Sequence, residues 1–202
     1  MGGDKPRRII YLRQRSEASW VIDMAIMEIR LYGDNILRKP ALPIEEITDA
    51  ERQLAQDMLE TMYAYRGVGL AAPQVGISKR IIVIDIEPDD GSHKPTILIN
   101  PTIVSQKGEV VLEEGCLSFP DIREEVKRPA EVVVEGLDET GRIVKVEGED
   151  LMSRALQHEI EHLDGILFID HFSRLKRKLL KNQLNKIKQK EGQNGKGARG
   201  QS

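Results

Sequence analysis

The sequence predicts an α+β fold: small mixed or antiparallel β-sheets packed around a central buried helix, with a further helix at the C-terminus. Three observations carry that expectation. Strand-like apolar runs crowd the stretch from Arg80 to Val146. The segment from Leu151 to Leu163 is apolar on two sides at helical spacing, as a buried helix is. A basic helical pattern occupies residues 174–190. Strands followed by one buried helix favour sheets wrapped about that helix.

The chain has 202 residues, which suits one domain with a full core. Its net charge of −3 argues against bulk binding to nucleic acid, so no DNA partner is expected. A single cysteine excludes an internal disulfide framework and fits a reducing, cytoplasmic setting. No apolar run approaches the length of a transmembrane helix, and no membrane partner is expected.

Taken in order, residues 1–26 form an N-terminal extension expected to be poorly ordered. Its apolar run from Ile9 to Leu12 is too short for a secretory signal, and Met24 or Met27 is a plausible natural start. Glu28 to Tyr32 alternates like a strand, and Gly33-Asp34-Asn35 makes a turn. Thr48 and Glu51 fit a capping box that opens a helix with the stripe Leu54, Met58, Met62 and Tyr65, closed by Gly67. Strands are expected at Ile81–Ile84, Thr96–Ile99 and Val110–Leu112. Two more, at Val132–Val134 and Ile143–Val146, flank the hairpin turn Asp138-Glu139-Thr140-Gly141. Residues 191–202, rich in Gly, Asn and Gln, are expected to be disordered.

The buried helix carries the chemistry. His158 and His162 stand four apart, so their imidazoles share one helical face, which Leu151 and Ala155 continue. Glu159 follows the first histidine. This is the H-E-x-x-H arrangement, in which two imidazoles hold a metal and the carboxylate handles the proton of a metal-bound water. Met152, Leu156, Ile160 and Leu163 form the second apolar stripe, and Gly165 ends the helix. Two of the chain's four histidines lie here, and a third ligand is still needed.

Two other stretches stand out. Gly67-Val68-Gly69-Leu70-Ala71-Ala72-Pro73-Gln74-Val75-Gly76 is too rich in glycine and proline for a regular helix or a central strand. It suits a tight connector, or a loop that lets another backbone approach, and the Gln74 amide could donate to a developing oxyanion. Glu113-Glu114-Gly115-Cys116-Leu117-Ser118-Phe119-Pro120 holds the lone cysteine just after a strand. Cys116 is either a small buried hydrophobe or the loop ligand that completes a Cys-His-His set.

Gly67–Gly76, Glu114–Pro120 and Gln157–Gly165, in that order, resemble the three signature stretches of the peptide deformylases. With Gly33-Asp34 and Leu37-Arg38, the resemblance spans about residues 27–172, a single catalytic domain. Asn35 stands where proline is common and Glu161 where aspartate is common.

The resemblance implies a metal-dependent hydrolase that removes the N-formyl group from the formyl-methionine of newly synthesised proteins and releases formate. It implies that Cys116, His158 and His162 bind one divalent ion. Fe2+ would be the physiological ion, with Zn2+, Ni2+ or Co2+ possible in a purified sample. Glu159 would move the proton, while Gln74 and the Leu117 backbone N–H would hold the oxyanion. Val68, Leu151, Ala155 and the edge of His158 would surround the methionine side chain. Gly69 and Gly115 would let the substrate backbone approach. The implied partners are nascent N-formyl-methionyl polypeptides and the ribosome, the latter through the basic C-terminal helix.

Two rivals are weaker. An H-E-x-x-H endopeptidase of the metzincin type would need a third histidine at position 168, which is Phe168. A non-catalytic metal-binding homologue would need a fourth protein ligand to close a structural site, and only three candidates exist.

Overall fold

The computed structural model describes residues 26–86 and 94–197. All but the last residue of the expected N-terminal extension lies outside them. After a 3-10 turn at Asn35–Arg38, the chain forms α1 (Asp49–Ala64), β1 (Gly69–Ala71) and a second 3-10 turn at Ala72–Val75. Strands β2 (Ile81–Ile84), β3 (Thr96–Lys107), β4 (Val110–Gly115), β5 (Arg123–Arg128), β6 (Glu131–Leu137) and β7 (Ile143–Glu149) follow. The helices α2 (Asp150–Leu163), α3 (Arg174–Leu179) and α4 (Lys181–Gly197) close the chain. One sheet has the order β1-β2-β3-β6-β7, and β4 pairs with β5 in a separate ribbon. Every pairing is antiparallel.

The continuous apolar run Ile81-Ile82-Val83-Ile84 explains how the layers stack. Successive residues of a strand point to opposite faces, so an unbroken apolar strand must be covered on both. Ile81 and Val83 join Leu54, Met58 and Met62 of α1 in one core cluster. Ile82 and Ile84 join Ala155, Leu156, Ile160 and Leu163 of α2 in a second. The sheet is thus sandwiched between α1 and α2, and α2 is the expected central buried helix.

Helix α1 starts with the expected capping box: Glu51 accepts from the Thr48 N–H at 3.0 Å. Its end turns on Arg66, which takes the left-handed conformation (φ 55), while Gly67 N–H closes the last turn on the Met62 carbonyl at 2.9 Å. Glu51 is buried, and hydrogen bonds first from Lys79 and then from Thr48 hold its carboxyl at about 2, below the usual 4.5. The unfolded chain binds that proton more readily, so the stabilisation is complete above pH 4.5 and is lost as pH falls through about 2. Glu51→Gln is expected to lower the melting temperature at neutral pH. Calorimetry should show the gap to the parent narrowing between pH 4.5 and about 2.

Helix α2 ends where Gly165 adopts φ 74, and a Cβ there would lie 2.9 Å from the Arg38 carbonyl carbon and oxygen. Only glycine meets both demands.

Three expectations are corrected. Glu28 to Tyr32 is extended but belongs to no sheet. Its amides bond to loops instead, Arg30 N–H to the Gln74 carbonyl at 2.7 Å and Tyr32 N–H to the Ser118 carbonyl at 2.9 Å. The basic helix is two helices, broken at Leu180. Leu184 and Ile187 enter the core, whereas Leu175 and Leu179 are largely exposed. Finally, helix α4 runs on to Gly197 through the first part of the stretch expected to be disordered, because its buried face continues to Glu191. Among the described residues no helix is long and apolar enough to cross a membrane.

Candidate active site

Two elements bring the three expected ligands together. Strand β4 ends at Gly115 and delivers Cys116, while α2 presents His158 and His162 one turn apart. One ligand atom from each of the three lies within 4.8 Å of the others. Cys116 Sγ is 3.2 Å from His162 Nε2, and the two imidazoles meet edge to face with centroids 5.0 Å apart. A soft thiolate and two imidazoles are a donor set for a divalent transition metal, and three protein ligands leave a position open. The residues fit such an ion.

The imidazoles are buried. Burial pushes His158 down, but the Cys116 sulfur and the Glu114 carboxylate beside it win and raise it well above its ordinary value. Burial first, then the neighbouring His158 charge, hold His162 well below. Glu159 is also buried, and desolvation lifts its carboxyl to about 7. Its Oε2 has no hydrogen-bond partner among the described residues. A Cβ on residue 69 would lie 2.6 Å from Glu159 Oε1, so Gly69 leaves the room in which this carboxylate sits.

Gln74 lies in the 3-10 turn after β1, fully buried. Its Oε1 accepts from Ala71 N–H at 2.8 Å, which turns the amide NH2 toward Cys116 Sγ, 3.6 Å away, and Ser118 Oγ, 3.4 Å away. Leu117 follows the cysteine and lines the same cavity. That cavity measures about 1630 Å³, and every expected site residue except His162 lines it. Val68 and Leu151 stand half-exposed at its wall, and Gly69 and Gly115 give it stretches of bare backbone.

Behind the histidines lies a buried ionic network that sequence reasoning missed. Glu114 Oε2 is 3.2 Å from His158 Nδ1, which leaves Nε2 to face the other ligands. Arg128 donates to Glu114 from Nε at 2.5 Å and from Nη2 at 3.0 Å, and reaches Glu161 at 2.8 and 3.0 Å. Arg154 also donates to Glu114, and Glu161 continues outward to His171 at 2.9 Å. The hydrogen bonds from His158 and Arg128 outweigh burial and hold the Glu114 carboxyl at about 2. Arg154 could have been found, since it precedes His158 by one helical turn. Arg128, on a strand reading Arg-Glu-Glu-Val-Lys-Arg, gave no sign of burial.

The polypeptide deformylase family model matches residues 26–178. The chain belongs to the polypeptide deformylase family. A peptide deformylase of Thermodesulfovibrio yellowstonii is 49% identical over 160 residues, 79% of this chain and 97% of that one. The crystal structure of a Legionella pneumophila peptide deformylase superimposes with a TM-score of 0.77 at 44% identity, covering 83% of this chain and 98% of that one. That of a Synechococcus elongatus peptide deformylase, in complex with actinonin, gives 0.73 at 42%, covering 82% and 88%. Peptide deformylases are metal-dependent hydrolases acting on nascent formylated chains, and this deformylase is one by sequence and by fold. Nothing favours the endopeptidase alternative.

Proposed function

We propose that Cys116, His158 and His162 hold one divalent ion in this deformylase and that Glu159, Gln74 and Leu117 carry out the remaining chemistry. The observation that carries this is the convergence of the three ligand atoms within 4.8 Å, beside a buried carboxylate that is not one of them. When bound, such an ion supplies a water acidic enough to attack at neutral pH and polarises the formyl oxygen. Glu159 takes that water's proton and returns it to the departing amine nitrogen, so that formate and a free N-terminus result. The Gln74 amide, held in one orientation by Ala71, and the Leu117 N–H donate to the formyl oxygen as it gains charge. Val68, Leu151, Ala155 and the edge of His158 enclose the methionine side chain. The exposed backbone at Gly69 and Gly115 pairs with the substrate as an added strand.

The ion is ferrous iron in the cell, with zinc, nickel or cobalt able to replace it, since thiolate and imidazole accommodate all of them. The setting is the reducing cytoplasm. The test is anaerobic deformylation of formyl-Met-Ala-Ser with added ferrous iron, repeated with actinonin, the ligand of the Synechococcus relative. Turnover abolished by actinonin is the expected result, and an iron-loaded protein that releases no formate would overturn the reading.

Helices α3 and α4 add a docking role. Arg174, Arg177, Lys178 and Lys181 are exposed on a segment that counts ten Lys or Arg against the one acid Glu191 between Ser173 and Ser202. This face meets ribosomal RNA phosphates at the point where the substrate emerges. Reversing the charges of Arg177, Lys178 and Lys181 should spare short-peptide turnover and weaken co-sedimentation with ribosomes at low salt. Undiminished sedimentation would reduce the face to a solvated one.

A further inference from the structure

The last helix makes a contact that its composition does not explain. Leu184, Ile187, Lys188 and Glu191 recur at the i, i+3, i+4, i+7 spacing of one helical face. Leu184 and Ile187 lie in the core cluster that also contains Ile29 and Leu31. A Cβ on Gly33 would lie 2.8 Å from Lys188 Cγ and 3.2 Å from Lys188 Cα, so chain and helix touch backbone to backbone there. Glu191 is therefore a carboxylate, only 7% exposed, where the stripe calls for a leucine. Such a group is costly to bury, and burial raises its pKa. Holding it there is a hydrogen bond, Leu31 N–H donating to its Oε2 at 2.8 Å, with the Arg30 charge nearby.

That bond falls at the centre of a three-point strap. In an extended chain, successive amides point to opposite sides. Arg30 and Tyr32 donate to the Gln74 and Ser118 carbonyls, on the two loops that carry the oxyanion donors, while Leu31 donates the other way, to α4. We infer that Glu191 is a positioning residue for deformylation: by fixing Leu31, it holds the extended segment at residues 30–32 against the Gln74 and Leu117 loops and sets their donors on the substrate oxygen. The inference rests on the roles proposed above for those donors. It makes the C-terminal helix part of the catalytic apparatus, although it contributes no group to the reacting atoms.

The test uses the full-length, metal-loaded protein and formyl-Met-Ala-Ser, well below the melting temperature. Glu191→Ala, and Glu191→Met, which keeps the packing but withholds the acceptor, are expected to lower kcat about tenfold with metal content unchanged. Glu191→Gln, which keeps an acceptor oxygen, should restore kcat. A helix that only stabilises the fold would lower the melting temperature and leave kcat alone. In a Gln74→Ala background the Glu191→Met loss should shrink, because one of the two donors it sets is already gone. The inference is overturned if the Ala and Met variants turn over within twofold of an active parent. It is equally overturned if Gln fails to rescue, or if the losses with Gln74→Ala are fully additive. An inactive parent would overturn the assignment of the reaction, and this inference with it.

Discussion

Glu159→Gln is expected to keep its metal and lose nearly all turnover, by about 10²–10⁴-fold. The carboxylate stands next to the ligand set without belonging to it. It is buried, and its Oε2 has no hydrogen-bond partner among the described residues. Glutamine fills the same space beside Gly69, so the change removes the proton carrier and little else. Cys116→Ala separates the roles from the other side, since it takes away a proposed ligand and should empty the site. Metal content and kcat, measured on the same preparations, distinguish the two. A Glu159→Gln protein with near-normal kcat would sink the role given to this residue.

Arg128→Ala is expected to cost about 3–5 kcal/mol of stability, because it strands the buried Glu114 carboxylate and the half-buried one of Glu161. Arg128 is 3% exposed and makes paired contacts to both Glu114 and Glu161. Against a total stability of roughly 5–15 kcal/mol, a loss of that size is severe. The same change loosens Glu114, the partner of His158 Nδ1, so metal affinity should fall about 10–100-fold. Urea denaturation of the metal-free protein and a competitive metal titration measure the two effects separately. A stability loss below about 1 kcal/mol would mean that Arg154 and His158 satisfy Glu114 without it.

These two residues also mark what the sequence can and cannot disclose. Glu159 is legible because its meaning lies in local spacing: two histidines one turn apart, with a carboxylate beside the first. The run Ile81-Ile82-Val83-Ile84 is legible for the same reason, since an unbroken apolar strand requires cover on both faces. Arg128 is opaque. Its burial depends on Glu114 and Glu161, brought near only by the folded chain, and locally it resembles any charged edge residue. Glu28 to Tyr32 falls between the two cases. Its alternation correctly indicates an extended chain, but the amides' partners are loops that no periodicity announces. Glu191 was hidden by its neighbours, because glycine, asparagine and glutamine around it suggest disorder while one buried contact keeps the helix going.

The two margins of the five-stranded sheet are treated in opposite ways. At one end β1 is three residues long and begins with Gly69, bare backbone on the cavity wall. At the other, β7 is a full seven-residue strand with one neighbour, and Ile143, Lys145, Glu147 and Glu149 on its outer face are exposed. An unpaired margin of that length invites a second molecule to add itself, the first step of self-association into extended sheets. Charged groups along β7 make that union costly, because Lys145, Glu147 and Glu149 would have to give up water to a neighbouring copy. On the role proposed for Gly69, the short bare margin serves a passing chain, while charge guards the long one against a second copy in a crowded cell.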